Sequence, residues 1–211
     1  MRMMRIEAVR SPLCRVNEDP PTNPPVNSGA NAVGAGIECD LLCVQCAYNL
    51  RGLTPYLACP ECGRPVRETI RTVLGTVEGR PAEFVQELHH NVLDMAAARS
   101  GYPTDAFSFV IDVIACSAGT GSHVGARAIC DSVREYALEY FNDAEEATEL
   151  LAAWKLNRSE DVGRVVYALV ESGLLTDGPE DRLEHFDSLF MLDTLFHSGD
   201  GAEADHRTER E

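Results

Sequence analysis

The 211-residue sequence predicts a mainly α-helical fold in which a set of amphipathic helices follows one small four-cysteine module. Three observations predict it. Two paired-cysteine knuckles, Cys43-Val-Gln-Cys46 and Cys59-Pro-Glu-Cys62-Gly63, enclose a 12-residue connection from Ala47 to Ala58. After Gly79, apolar residues recur at helical spacing over most of the chain. Charge divides at the same place: residues 1–80 hold nine Arg against eight acidic residues, whereas residues 81–211 hold nine basic against 26 acidic residues, a net −17.

Residues 1–38 are rich in Pro, Asn, Gly and Ala, including Pro20-Pro21 and Pro24-Pro25, which predicts a disordered segment. Residues 39–65 form the cysteine ribbon. Val66, Ile70, Val73 and Leu74 lie at helical spacing, so residues 66–80 are read as a linker helix ending at Gly75.

Residues 81–197 read as an acidic helical domain. Phe84, Val85, Leu88, Val92, Met95 and Ala96 share one face of its first helix. Pro103 opens a second, Ala106 to Ala118, apolar nearly all round and therefore central. Ser122 is the predicted cap of a third, whose inward residues are Ile129, Val133, Tyr136, Ala137 and Tyr140. Asp143 with Glu146 makes a capping-box start for a fourth, with the stripe Ala147, Leu150, Leu151 and Trp154. Ser159 is the predicted cap of a fifth, which buries Val162, Val165, Val166, Leu169 and Val170 and stops at Gly173. Leu174-Leu175 and the stretch Leu183 to Leu192 suit either a short β-hairpin across Asp177-Gly178-Pro179 or short helices. Residues 198–211 read as a disordered acidic tail.

The two-residue spacing inside each knuckle lets both sulfurs face one ion while backbone N–H groups turn towards the thiolates. Cys43, Cys46, Cys59 and Cys62 thus supply a complete tetrahedral cage for Zn²⁺. Sulfur fills every coordination position, which favours a structural ion over a catalytic one, and such a unit folds on its metal. Iron in a rubredoxin-type site is the less favoured metal, because similar CPxCG knuckles serve both. Two disulfides are the other reading, disfavoured by the absence of a secretory pattern near Met1. Cys39, four residues before Cys43, is a competing ligand or a spare thiol at the ribbon edge. Tyr48, Leu50, Leu53 and Tyr56 are expected to cover the metal, with a turn at Arg51-Gly52.

No apolar run reaches the roughly 18–20 residues that span a bilayer, so no membrane role and a cytoplasmic location are expected. A surface as acidic as residues 81–211 repels phosphate backbones and attracts basic proteins. A protein-interaction or regulatory and assembly module with a protein partner is therefore the first reading. Nucleic-acid binding is disfavoured for the helices and left open for the ribbon, where Tyr48 and Tyr56 offer stacking and Arg51 and Arg64 offer phosphate contacts. An enzyme ranks third: His89, His90, Glu87, Asp94 and His123 are titratable, but adjacent histidines point to different sides of a helix. Cys116 and Cys130 read as small hydrophobes in apolar helices, with a second metal site beside His123 as the lesser alternative. Glu145, Glu146 and Glu149 read as a solvated face.

The ordered runs Ala106-Phe107-Ser108-Phe109-Val110, Ser122-His123-Val124-Gly125, Arg134-Glu135-Tyr136-Ala137, Trp154, and Asp161-Val162-Gly163-Arg164-Val165-Val166-Tyr167 with Gly173-Leu174 resemble an uncharacterised helical protein family of the planctomycete–verrucomicrobial bacterial lineage, over about residues 81–196. Members usually place a glycine where this chain has Lys155. The ribbon, with Tyr48-Asn49-Leu50-Arg51-Gly52-Leu53 between its knuckles, resembles zinc ribbons common in that lineage. The resemblance implies helices behind a ribbon and no particular activity.

Overall fold

The computed structural model describes residues 36–76, 78–118 and 124–196. The predicted disordered tail and most of residues 1–38 lie outside them. Within them the chain is mainly helical, with the four-cysteine ribbon in front.

The ribbon begins earlier than residue 39. Ile37 is fully buried and pairs with the chain at Gly52 and Leu53: its N–H donates to Leu53 O at 2.8 Å, and the N–H of Gly52 donates to Ile37 O at 2.8 Å. Leu41, Leu42 and Cys43 continue this pairing against Tyr48, Asn49 and Leu50. The hairpin therefore wraps the first knuckle. The crossing is tight enough to exclude any side chain at Gly36, where a Cβ would lie 2.1 Å from Gly52 O.

Helix α1 (Val66–Leu74) follows the second knuckle directly and ends at Gly75, as its spacing predicted. It is no spacer. Val66, Ile70 and Val73 join Ile37, Leu41, Leu50, Cys43 and Cys59 of the ribbon and Leu88, Val92 and Met95 of helix α2 (Ala82–Ser100) in one apolar cluster. Each fully buried aliphatic side chain there contributes about 1.5–3 kcal/mol relative to exposure, so packing welds ribbon, α1 and α2 together. Asn91 of α2 adds a polar tie by accepting from the Glu38 N–H at 3.0 Å.

Gly101 turns the chain in the left-handed conformation and Pro103 starts helix α3 (Thr104–Ser117). Ala106, Phe107, Phe109, Val110 and Val113 of α3 are buried, but Ser108 and Cys116 face solvent, so α3 is one-sided. The predicted central role falls to helix α6 (Ser159–Ser172), which packs on α2, on α3, on α4 (Ala126–Tyr140) and on a 3₁₀ turn, Leu183–Phe186. Helix α4 starts from Gly125. The predicted cap, Ser122, lies outside the described residues.

Helix α5 (Ala144–Ala153) is capped as expected by Asp143, whose carboxylate accepts from the N–H groups of Glu145 and Glu146 at 3.0 and 2.9 Å. Glu146 reaches one residue further back than a capping box, accepting from Asn142 N at 3.0 Å and Asn142 Nδ2 at 2.6 Å. It is thus a cap, while Glu145 and Glu149 are exposed. Trp154 ends α5, and Lys155 takes the left-handed position after it (φ 63).

Ser159 is the first residue of α6, and its predicted capping task passes to Asp161. The Asp161 carboxylate accepts from the N–H groups of Asn157 and Arg158 at 3.1 and 3.2 Å. Ser159, fully buried, instead accepts from the N–H groups of Leu189 and Phe190 at 3.0 and 3.3 Å and so anchors the C-terminal segment. That segment resolves the choice between hairpin and short helices: the 3₁₀ turn and helix α7 (Leu192–Leu195) form, with a single bridge between Arg158 and Met191. A hairpin is disfavoured because Phe186 must reach Gly163 on α6, so closely that a Cβ there would be 2.7 Å from its ring.

Candidate metal centre

The two knuckles are built alike. In the first, the Cys43 N–H donates to Tyr48 O at 2.8 Å and the Ala47 N–H donates to Cys43 O at 2.9 Å; in the second, Cys59 donates to Arg64 O at 2.8 Å and Gly63 to Cys59 O at 2.9 Å. Cys43 thus matches Cys59, Cys46 matches Cys62, and Ala47 matches Gly63. Both last residues have positive φ, 60° at Ala47 and 73° at Gly63, because the chain must reverse there to bring the following N–H back over the sulfurs. Glycine takes that conformation without strain, whereas alanine costs about 1–2 kcal/mol.

This reversal brings four Sγ atoms within 4.8 Å of one another, and no other such group of three or more ligating side chains occurs among the described residues. The Cys43–Cys62 and Cys46–Cys59 sulfur separations are both 3.6 Å. A tetrahedron of sulfurs held ~2.3 Å from one ion has edges of about 3.8 Å, so the set fits a single tetrahedral thiolate-bound metal. Cys43 and Cys59 are buried and Cys46 and Cys62 are half-buried.

The electrostatics agree with that fit. Burial works to raise the Cys43 thiol, but the N–H groups of Gln45 and Cys46 and the neighbouring sulfurs outweigh it and bring it down to about 6. Cys46 receives the Tyr48 N–H, which favours its thiolate, yet burial and the adjacent sulfurs push it up to about 12. Cys62, which receives the Arg64 N–H, is also raised. Sulfurs so close cannot all ionise unless a cation compensates them, and a bound dication supplies that compensation.

Cys39 stays outside the cluster. It is 7 % exposed and packed in the ribbon core rather than at an edge, and burial raises its thiol. Of the predicted cover, Leu50 is fully buried and Leu53 and Tyr56 are half-buried, but Tyr48 is 43 % exposed. Leu42, Val44 and Leu57 are exposed as well. Both ribbon arginines are engaged by carboxylates, Arg51 with Asp40 at 3.4 Å and Arg64 with Glu68 at 3.2 Å.

Among the described residues, the remaining predicted ones form no cluster of three or more ligating side chains. His90 is exposed and His89 half-buried, its imidazole lowered by burial and by His90 beside it. His123 lies outside the described residues. Cys130 is buried, with its thiol pushed up to about 12 by burial, whereas Cys116, expected in an apolar setting, is exposed. Sequence reasoning missed Thr69, buried on α1, whose Oγ1 lies 3.5 Å from Val44 N inside the first knuckle. Its place at helical spacing between Val66 and Val73 was the available signal.

No helix among the described residues is long and apolar enough to cross a membrane. No protein-family model, curated protein or solved structure matches the chain.

Proposed function

We propose that Cys43, Cys46, Cys59 and Cys62 hold one structural zinc ion and that the chain is a protein-interaction module used in regulation or assembly. The observation that carries this reading is the closed all-sulfur cluster: with four donors in place, no position is left for a substrate or a reactive water. Leu42, Val44, Tyr48 and Leu57 are exposed within the same short module, and a protein partner would cover them. The acidic helical domain favours a partner of basic character. The resemblance of residues 81–196 to an uncharacterised bacterial family belongs to this proposal and adds no activity to it.

Nucleic-acid reading through the ribbon is the second possibility, and exposed Tyr48 is the observation that keeps it. Charge opposes it. Residues 36–65 carry Arg51 and Arg64 against Glu38, Asp40 and Glu61, and four thiolates around a dication add a further net −2. Both arginines are already paired.

Elemental analysis with visible spectroscopy tests the metal: zinc gives a colourless protein, whereas iron–thiolate charge transfer gives a coloured one. Co-purification from native lysate with and without nuclease tests the partner. A complex that survives nuclease and is lost on charge reversal of the exposed acidic face supports a protein; one abolished by nuclease selects nucleic acid.

A further inference from the structure

Where the ribbon meets the helices, a cleft of about 310 Å³ opens between Tyr56 of the ribbon, Arg99 and Tyr102 at the end of α2, and Arg164, Tyr167 and Glu171 of α6. That volume lies at the lower end of the range for small-molecule sites. Its chemistry departs from the rest of the domain. In a stretch with nine basic residues against 26 acidic ones, two arginines line one cleft. A third cation, Lys155, donates to Gly101 O at 2.7 Å, beside Tyr102 in the chain.

Arg99 and Arg164 are held differently. The central carbon of the Arg99 guanidinium lies over the Tyr56 ring, 4.3 Å from its centre. The N–H donors of a guanidinium lie in its plane, and among the described residues those of Arg99 have neither a carboxylate nor a hydrogen-bond acceptor. Arg164 is positioned by Asp161, at 2.9 Å, and its side chain stays 57 % exposed; the same carboxylate accepts the Tyr102 hydroxyl at 2.8 Å. The Tyr167 hydroxyl is buried and makes no hydrogen bond among the described residues. The cleft is therefore lined by cationic guanidinium donors, three tyrosine side chains and one carboxylate, Glu171, able to accept from a ligand hydroxyl or amine.

We propose that this cleft binds a small organic anion whose phosphate or carboxylate is carried on a flat ring, the anion meeting the in-plane donors of Arg99 and Arg164 and the ring lying against the tyrosines. Because Tyr56 belongs to the connection between the two knuckles, the site exists only while the ribbon is closed on the helices.

Calorimetric titration of the metal-loaded full chain with phenyl phosphate, benzoate and inorganic phosphate tests the proposal. Saturable binding of a ring-bearing anion is expected, and the tighter of phenyl phosphate and benzoate identifies the preferred anionic group. Inorganic phosphate should bind about tenfold more weakly or worse, and Arg99→Gln should weaken the ring-bearing anion by about tenfold or more. Arg164→Gln provides a second variant, with circular dichroism and metal content verifying that each is folded. The proposal fails if neither ring-bearing anion binds at millimolar concentration, if inorganic phosphate binds equally well, or if folded Arg99→Gln and Arg164→Gln both bind as the parent does.

Discussion

Gly173, the residue that ends α6, lies against the backbone of Arg67 on α1: a Cβ at Gly173 would be 2.5 Å from Arg67 O. The close approach lets Arg71, one turn further along α1, donate to Leu175 O at 3.2 Å and to Val170 O at 3.5 Å, placing a cation at the negative end of α6. Gly173→Ala meets both this backbone contact and a φ of 87°. It should cost about 2–4 kcal/mol, read as a lowered midpoint in chemical denaturation. A loss under 1 kcal/mol would mean that α1 and α6 are not pressed together.

One metal ion per chain is expected, and Cys59→Ser should lose it. Because Cys59 shares a core with Val66, Ile70, Leu88 and Val92, the damage should extend past the ribbon into α1 and the start of α2, while α3 to α6 keep their helical signal. Hydrogen exchange resolved by segment distinguishes this from loss confined to residues 36–65.

Ala47→Gly should stabilise the protein. Relief of left-handed strain gains about 1–2 kcal/mol and the more flexible unfolded chain returns about 0.4–1. A rise of up to about 1.6 kcal/mol in thermal or denaturant stability is the expected net, with unchanged metal content.

Trp154 packs its ring 5.6 Å from that of Phe109 and 5.8 Å from that of Phe141, in a half-buried position. Its emission should be blue-shifted from that of tryptophan in water. Trp154→Ala should cost about 3 kcal/mol, the low end for a large core truncation.

Asp112 gives the pH dependence a definite sign. Burial raises its carboxyl pKa, and the Tyr136 hydroxyl offsets this only in part. A folded state that holds this proton more tightly than the unfolded chain gains stability below the ordinary carboxylate range and loses it as pH rises through the unfolded pKa towards the folded one. Asp112→Asn should remove that fall, so the variant's stability relative to the parent should rise from pH 3 to pH 7. A parallel pH profile would refute it.

Legibility in the sequence followed the range of the interactions. The knuckles were readable because metal geometry is fixed by two-residue spacing, and the helices because Leu88, Val92, Val133, Ala137, Val162 and Leu169 declare a buried face through periodicity. Caps were less so: Ser159 carries the usual capping side chain, yet Asp161 on the next residues wins the backbone donors and frees Ser159 to bind a segment 30 residues away. The linker reading of α1 failed for a related reason, since a periodic stripe reveals that Val66, Ile70 and Val73 are covered without revealing by what. The cleft could not be read at all, because Tyr56, Arg99 and Arg164 converge only after ribbon, α2 and α6 have packed.

The apolar seam between ribbon and α2 also ties solubility to the metal. If the cage opens, Leu88, Val92 and Met95 lose their cover and a stripe of aliphatic surface is bared along the longest helix of the described chain. Chelation should therefore do more than release an ion: it should promote self-association, and light scattering after chelator addition should rise before the helical signal falls.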